Sequence, residues 1–217
     1  MNDTLKHWMD KSSELNERVA ASAVNAFDWL FRKESLVKSG QTPHTVIHEG
    51  DPMSVRFYDL DDDEIPLSDD SVLAVRQRKH AIPLVLVPPL GVTTETFDLM
   101  PNRSLVRYMA ARGFKTYLIC WGTPERRHAG LSMRDYADRM MGEALAAVRA
   151  HSGARELSLM GWCMGGLLSL VHAGLPDTRG IRAIVTVASP IDMRGGGLIA
   201  GVSRIINTPA QFIGRYT

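Results

Sequence analysis

Residues 161–166 read Gly-Trp-Cys-Met-Gly-Gly, a nucleophile elbow in which a thiol takes the place usual for a hydroxyl. Before it, Leu157, Leu159 and Met160 form a short apolar strand pattern; after it, Leu167, Leu168, Leu170 and Val171 continue as an apolar helix. Cys163 therefore falls on a sharp strand-to-helix turn, and Gly161 and Gly165 are expected to let the strand and helix approach there. A thiolate is the attacking form of cysteine, so such a site has to favour the anion or supply a base. A helix amino terminus does the first, because its unpaired N–H groups and dipole favour negative charge. The N–H of Met164 is then one oxyanion donor. The second is expected from Leu90 or Gly91, in the run Pro88-Pro89-Leu90-Gly91 that ends another strand.

Other reactive residue types compete less well. Cys120 lies inside an apolar strand pattern and reads as core. His172 is nine residues beyond Cys163 on the same expected helix, which carries it away from the elbow. Arg126, Arg127 and His128 suit a solvated rim or a contact for phosphate groups better than a catalytic role. Asp192 follows an apolar strand at a position suited to a catalytic acid, with a turn or helix-capping role as the competing reading. The acidic run over 59–64 lacks the glycine and spacing of a calcium loop, and no metal site is expected.

Elements must hold these residues in place. Leu5, Trp8, Leu15, Val19, Ala23, Ala26 and Leu30 recur at spacings of three to four, giving one or two amphipathic helices over 3–36. Gly40, Pro43, Gly50 and Pro52 mark a connection, so residues 1–52 read as a helical region and linker. Residues 53–192 read as one core. Its strands are expected around Val55 and Phe57 and over 72–75, 82–87, 114–121, 156–160 and 181–187, alternating from 82 onward with helices over 104–112, from Ser132, and after Cys163. Ser132 and Asp135 resemble a capping box. Alternation of this kind specifies a mostly parallel sheet with helices on both faces. Ligands bind beyond the carboxyl ends of such strands, where Leu90, Trp121, Cys163 and Asp192 fall. Residues 193–217 read as the start of a cap.

The 217 residues, 45% hydrophobic with a net charge of +1, describe a globular chain without the basic excess of a nucleic-acid binder. Two cysteines make no disulfide framework. Charged residues interrupt the amino terminus before it can form a signal-peptide core, and no apolar run is long enough for a transmembrane span. A cytoplasmic setting is expected.

The elbow, Pro88-Pro89-Leu90, Asp98-Leu99, the run over 102–107 (Asn-Arg-Ser-Leu-Val-Arg) and the strand end at Trp121 occur in that family's order in the polyhydroxyalkanoate synthases, which this chain resembles over residues 80–192. The resemblance implies an α/β-hydrolase fold and an acyltransferase that polymerises (R)-3-hydroxyacyl-CoA on a cysteine, here Cys163. It implies no cofactor beyond the coenzyme A thioester, which is substrate. It also implies a growing polyester and its granule surface as partners, and association into homo- or hetero-oligomers. The loop over 91–97 replaces the aromatic-rich segment of that family, which leaves acyl-chain specificity open. The family's catalytic aspartate and histidine follow a cap beyond the elbow. No positions here match them, so the reading is an incomplete chain, inactive on its own. Two other functions stand beside it: a cysteine-type esterase or thioesterase, and a non-catalytic subunit that binds acyl-CoA or granules.

Overall fold

The structure is a computed structural model that describes residues 39–60, 62–67 and 71–192. The expected amino-terminal helices over 3–36 and the cap start over 193–217 lie outside the described residues. In chain order the strands are β1 (Thr45–Glu49), β2 (Ser54–Tyr58), β3 (Glu64–Pro66), β4 (Val72–Ala74), β5 (Leu84–Val87), β6 (Asp98–Met100), β7 (Arg103–Ser104), β8 (Thr116–Cys120), β9 (Leu157–Trp162) and β10 (Ile181–Val187). The helices are α1 (Leu105–Ala111), α2 (Met141–Ser152) and α3 (Met164–Ala173).

The main sheet has six strands in the order β1-β2-β8-β5-β9-β10. β1 pairs antiparallel with β2 and β2 antiparallel with β8, whereas β8, β5, β9 and β10 run parallel. α1 connects β5 to β8, α2 connects β8 to β9, and α3 connects β9 to β10. This is an α/β-hydrolase fold. Because β5 is central and its neighbours are reached in opposite directions, the chain leaves the sheet in opposite senses beside β5. That reversal opens a crevice at the carboxyl edge.

β5 shows why the sequence has to be layered. Its four residues, Leu84, Val85, Leu86 and Val87, are all buried, as a strand covered on both faces requires. Val85 and Val87 pack with Met141, Leu145 and Val148 of α2 and Leu168 of α3. Leu84 and Leu86 pack on the other face with Val106, Ala110 and Ala111 of α1. Two apolar layers thus meet at one strand, and the period of two sorts its side chains between them.

Three local expectations change. The segment read as a linker contains β1, so the sheet starts before residue 53; a five-residue edge strand between Pro43 and Gly50 gives little signal against its flanking breakers. The acidic run is not only a turn, because Glu64–Pro66 pairs with Val72–Ala74 as a small hairpin. The helix that begins after Ser132 is not uniform. Ser132 does cap it, its N–H and hydroxyl reaching the Asp135 carboxylate at 2.8 and 2.6 Å, but Asp135–Met140 winds as a π-helix before α2.

Candidate active site

β9 carries the chain to the carboxyl edge of the sheet, where Cys163 turns it into α3. Its backbone is held at φ 52°, ψ −119°, a conformation that costs an L-residue about 1–3 kcal/mol unless its surroundings enforce it. They do. The Cys163 N–H donates to the Val187 carbonyl of β10 at 2.8 Å, and its own carbonyl accepts from the Gly166 N–H at 3.1 Å.

The glycines are steric requirements. A Cβ at Gly161 would strike the Gly166 nitrogen and the Gly165 carbonyl, so α3 crosses the strand end in contact with it. A Cβ at Gly165 would strike the Val87 carbonyl at the end of β5. Gly166, whose role the motif alone does not reveal, makes room for the Ser189 side chain beyond β10. The Ser189 Oγ is buried there without a hydrogen-bond partner among the described residues. Each glycine thus admits a different neighbour: helix to its own strand, helix to β5, and helix to the loop after β10.

The expected site residues gather on one edge. In register, Val87 stands opposite Gly161, and Trp162 opposite Val187. Pro88-Pro89-Leu90-Gly91, Cys163-Met164 and the 188–192 segment therefore leave three adjacent parallel strands side by side. Met164 is the first residue of α3, where N–H groups have no intrahelical acceptor. Leu90 and Gly91 form the turn after β5, and Leu90 and Met164 both pack on the same core cluster. Trp121, just past β8, is buried edge-on against Tyr136 and donates its indole N–H to the Pro88 carbonyl at 2.8 Å. A strand-end tryptophan thus fixes the proline turn that carries the expected second oxyanion donor, a link the sequence did not show. Asp192 is exposed five residues beyond β10.

Other candidates find different work. Cys120 was expected in the core; it is half-buried at the last position of β8 and lines a hollow of about 370 Å3 with Arg56, Leu90, Thr93 and Trp121. His128 accepts from the Glu125 N–H at Nδ1, 2.8 Å, so its Nε2–H donates to Asp51 at 2.8 Å. Arg127 pairs with Asp51 and Glu125, which makes this rim loop a clamp on the turn before β2. The His172 Nδ1 is 2.8 Å from the Ala137 carbonyl of the π-helix, and burial pushes its pKa down. Asp98 is buried as well. Its carboxylate accepts from the N–H and hydroxyl of Thr42 at 2.8 and 2.7 Å, beside Ser104, whose side chain caps α1 by accepting from the Arg107 N–H at 3.1 Å. Among the described residues no group of three or more His, Cys, Asp or Glu is arranged to hold a metal ion, and no helix is long and apolar enough to cross a membrane.

No protein-family model matches the chain. Curated proteins do. The chain is 28% identical over 197 residues to poly(3-hydroxyalkanoate) polymerase subunit PhaC of Haloferax mediterranei, covering 90% of this chain and 36% of that protein. It is 31% identical over 169 residues to the subunit of the same name from Haloarcula marismortui, covering 78% and 34%. Identity reaches 38% over 122 residues with poly(3-hydroxyalkanoate) polymerase 2 of Ectopseudomonas oleovorans, covering 54% and 22%. The chain belongs to the poly(3-hydroxyalkanoate) polymerase family. It spans about a third of the length of the first two of these relatives. Among solved structures, siderophore hydrolase EstB from Aspergillus fumigatus superposes over 68% of this chain and 42% of its own, at 14% identity and a TM-score of 0.45. A lipase of Bacillus licheniformis, BlEst2, does so over 54% and 44%, at 18% identity and a TM-score of 0.42. The fold assignment rests on strand order and the elbow, not on these likenesses. Within the polymerase family frame, the motifs that carried the resemblance divide by role: Asp98 and Ser104 hold the chain around α1, while Trp121 and the proline pair shape the crevice beside Cys163.

Proposed function

We propose that this chain carries the nucleophile half of a poly(3-hydroxyalkanoate) polymerase site, acting on (R)-3-hydroxyacyl-CoA. The single observation that carries the reading is Cys163, held in a strained turn at the start of α3 where three parallel strands end side by side. The Cys163 thiolate attacks the thioester carbonyl carbon and forms a new carbon–sulfur bond. The bond to coenzyme A breaks, and the coenzyme A thiolate leaves and takes up a proton. The N–H groups of Met164 and of Leu90 or Gly91 stabilise the intermediate oxyanion, each donor being worth about 3 kcal/mol in sites of this type. A hydroxyl of a second hydroxyacyl group then attacks the enzyme thioester: an ester bond forms, the carbon–sulfur bond to Cys163 breaks, and the hydroxyl proton passes to the departing Cys163 sulfur or to the base.

The activating base is proposed to lie outside residues 39–192. His44, His48, His80, His128, His151 and His172, the histidines among the described residues, are engaged with Tyr58, Glu143, Phe114, Asp51, Tyr117 and Ala137 respectively. By the family resemblance that base comes after a cap that follows the elbow, at positions this sequence does not match, so acyl transfer by residues 1–217 alone is expected to be slow. Incubation with 3-hydroxybutyryl-CoA, followed by mass spectrometry, tests the reading: a hydroxyacyl adduct is expected on Cys163 and is lost in Cys163→Ala. Coenzyme A release that is unchanged by Cys163→Ala overturns it. Recovery of free acid in place of polyester from the charged enzyme would assign the site to a thioesterase.

A further inference from the structure

A groove runs between the Asp135–Met140 segment and α3, and its two halves share Arg134, Asp138 and Leu175 as walls. One half, about 270 Å3, is lined by Met133, Ala137, Leu167, Leu168 and Val171 and is almost wholly apolar. The other, about 380 Å3, is polar and holds Gly142, Arg149, His172, Asp177, Thr178 and Arg179. His172 sits nine residues along α3 from Cys163, a helical span of roughly 13 Å. The polar half of the groove is therefore separate from the elbow.

In the polar half, two arginines lack a carboxylate partner and one histidine nitrogen lacks a donor among the described residues. Arg149 donates from Nε to the Arg155 carbonyl at 3.3 Å and from Nη2 to the Arg179 carbonyl at 2.7 Å, and burial pushes its pKa down. Neither it nor Arg179 has a carboxylate within ion-pair distance among the described residues. His172 is 7% exposed, and its Nδ1 faces a carbonyl, which only accepts. Nδ1 therefore carries the hydrogen, and Nε2 of the neutral ring is left as an acceptor without a donor among the described residues. Two arginines without a carboxylate and a ring nitrogen without a donor among the described residues, continuous with an apolar trough, describe the complement of an amphiphile.

We propose that this groove is a second ligand site for a medium-chain hydroxy acid: carboxylate at Arg149 and Arg179, hydroxyl donating to the His172 Nε2, alkyl chain along Leu167, Val171 and Leu175. Asp138 and Asp177 in the same walls favour a singly charged head over a phosphate or a coenzyme A group. The site does not depend on the chemistry assigned to Cys163.

Titration of the isotope-labelled full chain by 3-hydroxydecanoate, decanoate and 3-hydroxybutyrate, followed by heteronuclear NMR, tests it. Saturable binding of 3-hydroxydecanoate is expected, with shifts over 134–142 and 167–179. Decanoate, which lacks the hydroxyl, binds about fivefold more weakly; 3-hydroxybutyrate, which lacks the tail, binds more weakly still. Arg179→Gln, at an exposed side chain, lowers affinity about tenfold. Absence of saturable binding, equal affinity for all three acids, or shifts confined to residues 87–91 and 161–166 would overturn the proposal. The last result would place the acid in the elbow crevice instead.

Discussion

At Cys163 the backbone occupies a region that favours glycine, yet the residue has to be cysteine if it is to carry a thiol, so the strain is held by its neighbours. Gly165 is the sharpest test of that arrangement, because its missing Cβ is what lets α3 rest on the Val87 carbonyl. Backbone cannot yield as a side-chain tip does. Gly165→Ala is expected to lower unfolding free energy by more than about 2 kcal/mol, measured by urea denaturation. Gly91 is the matched control: a Cβ there meets nothing within 4 Å, so Gly91→Ala should stay within about 0.5 kcal/mol of the parent. Equal losses at the two positions would mean that the elbow's tight packing is not what these glycines serve. Cys163, Gly161 and Gly165 were legible in the sequence because the elbow is a local device whose parts lie within five residues. The need for Gly166 was not, because the Ser189 side chain it accommodates lies 23 residues further on.

Elements show the same division between local and distant causes. β5 and β8 were readable because burial on both faces leaves an unbroken apolar run, whereas β1 is an edge strand of mixed burial beside glycine and proline. The capping pair Ser132 and Asp135 was readable, but the π-helix it leads into was not. An apolar stripe cannot separate the two windings over six residues, and the partner of that segment, His172 on the Ala137 carbonyl, comes from another helix. That contact has a pH consequence. Burial holds His172 below its ordinary value of 6.5 in the folded chain, so between the folded value and 6.5 the unfolded chain binds more protons. Stability then falls as the solution is acidified through that window. Thermal melts from pH 7 to pH 5 should show a decline that His172→Asn flattens; parallel profiles would remove His172 as its source. Asp98 makes the matching case for the amino-terminal side of the sheet. Asp98→Ala strands the N–H and hydroxyl of the buried Thr42 and is expected to cost about 2–3 kcal/mol.

In the whole molecule, the sheet is well covered around β5 and thinly covered toward β10. α1 packs on β2, β5 and β8, and on the face it shares, Met160 and Trp162 of β9 stand beside Val185 and Val187 of β10. Phe97 meets Trp162 edge-on, but among the described residues Val185 stays 51% exposed, Val187 38% and Ile191 65%. β10 also has no hydrogen-bonded neighbour on its outer side among the described residues. An apolar strand with a free edge is a template for further pairing, and the polymerase relatives have about two-thirds of their length outside the match. Residues 1–217 expressed alone are therefore expected to bind a hydrophobic dye and to sediment above monomer mass. Placing a charge on the outward face should oppose edge pairing without touching the core, so Val185→Lys is expected to shift the chain toward monomer and reduce dye binding, with Cys163 alkylation by iodoacetamide unchanged in rate. A parent chain that is already monomeric and binds no dye would show that this corner is covered by residues outside 39–192. A variant that associates as strongly as the parent would move the contact away from β10.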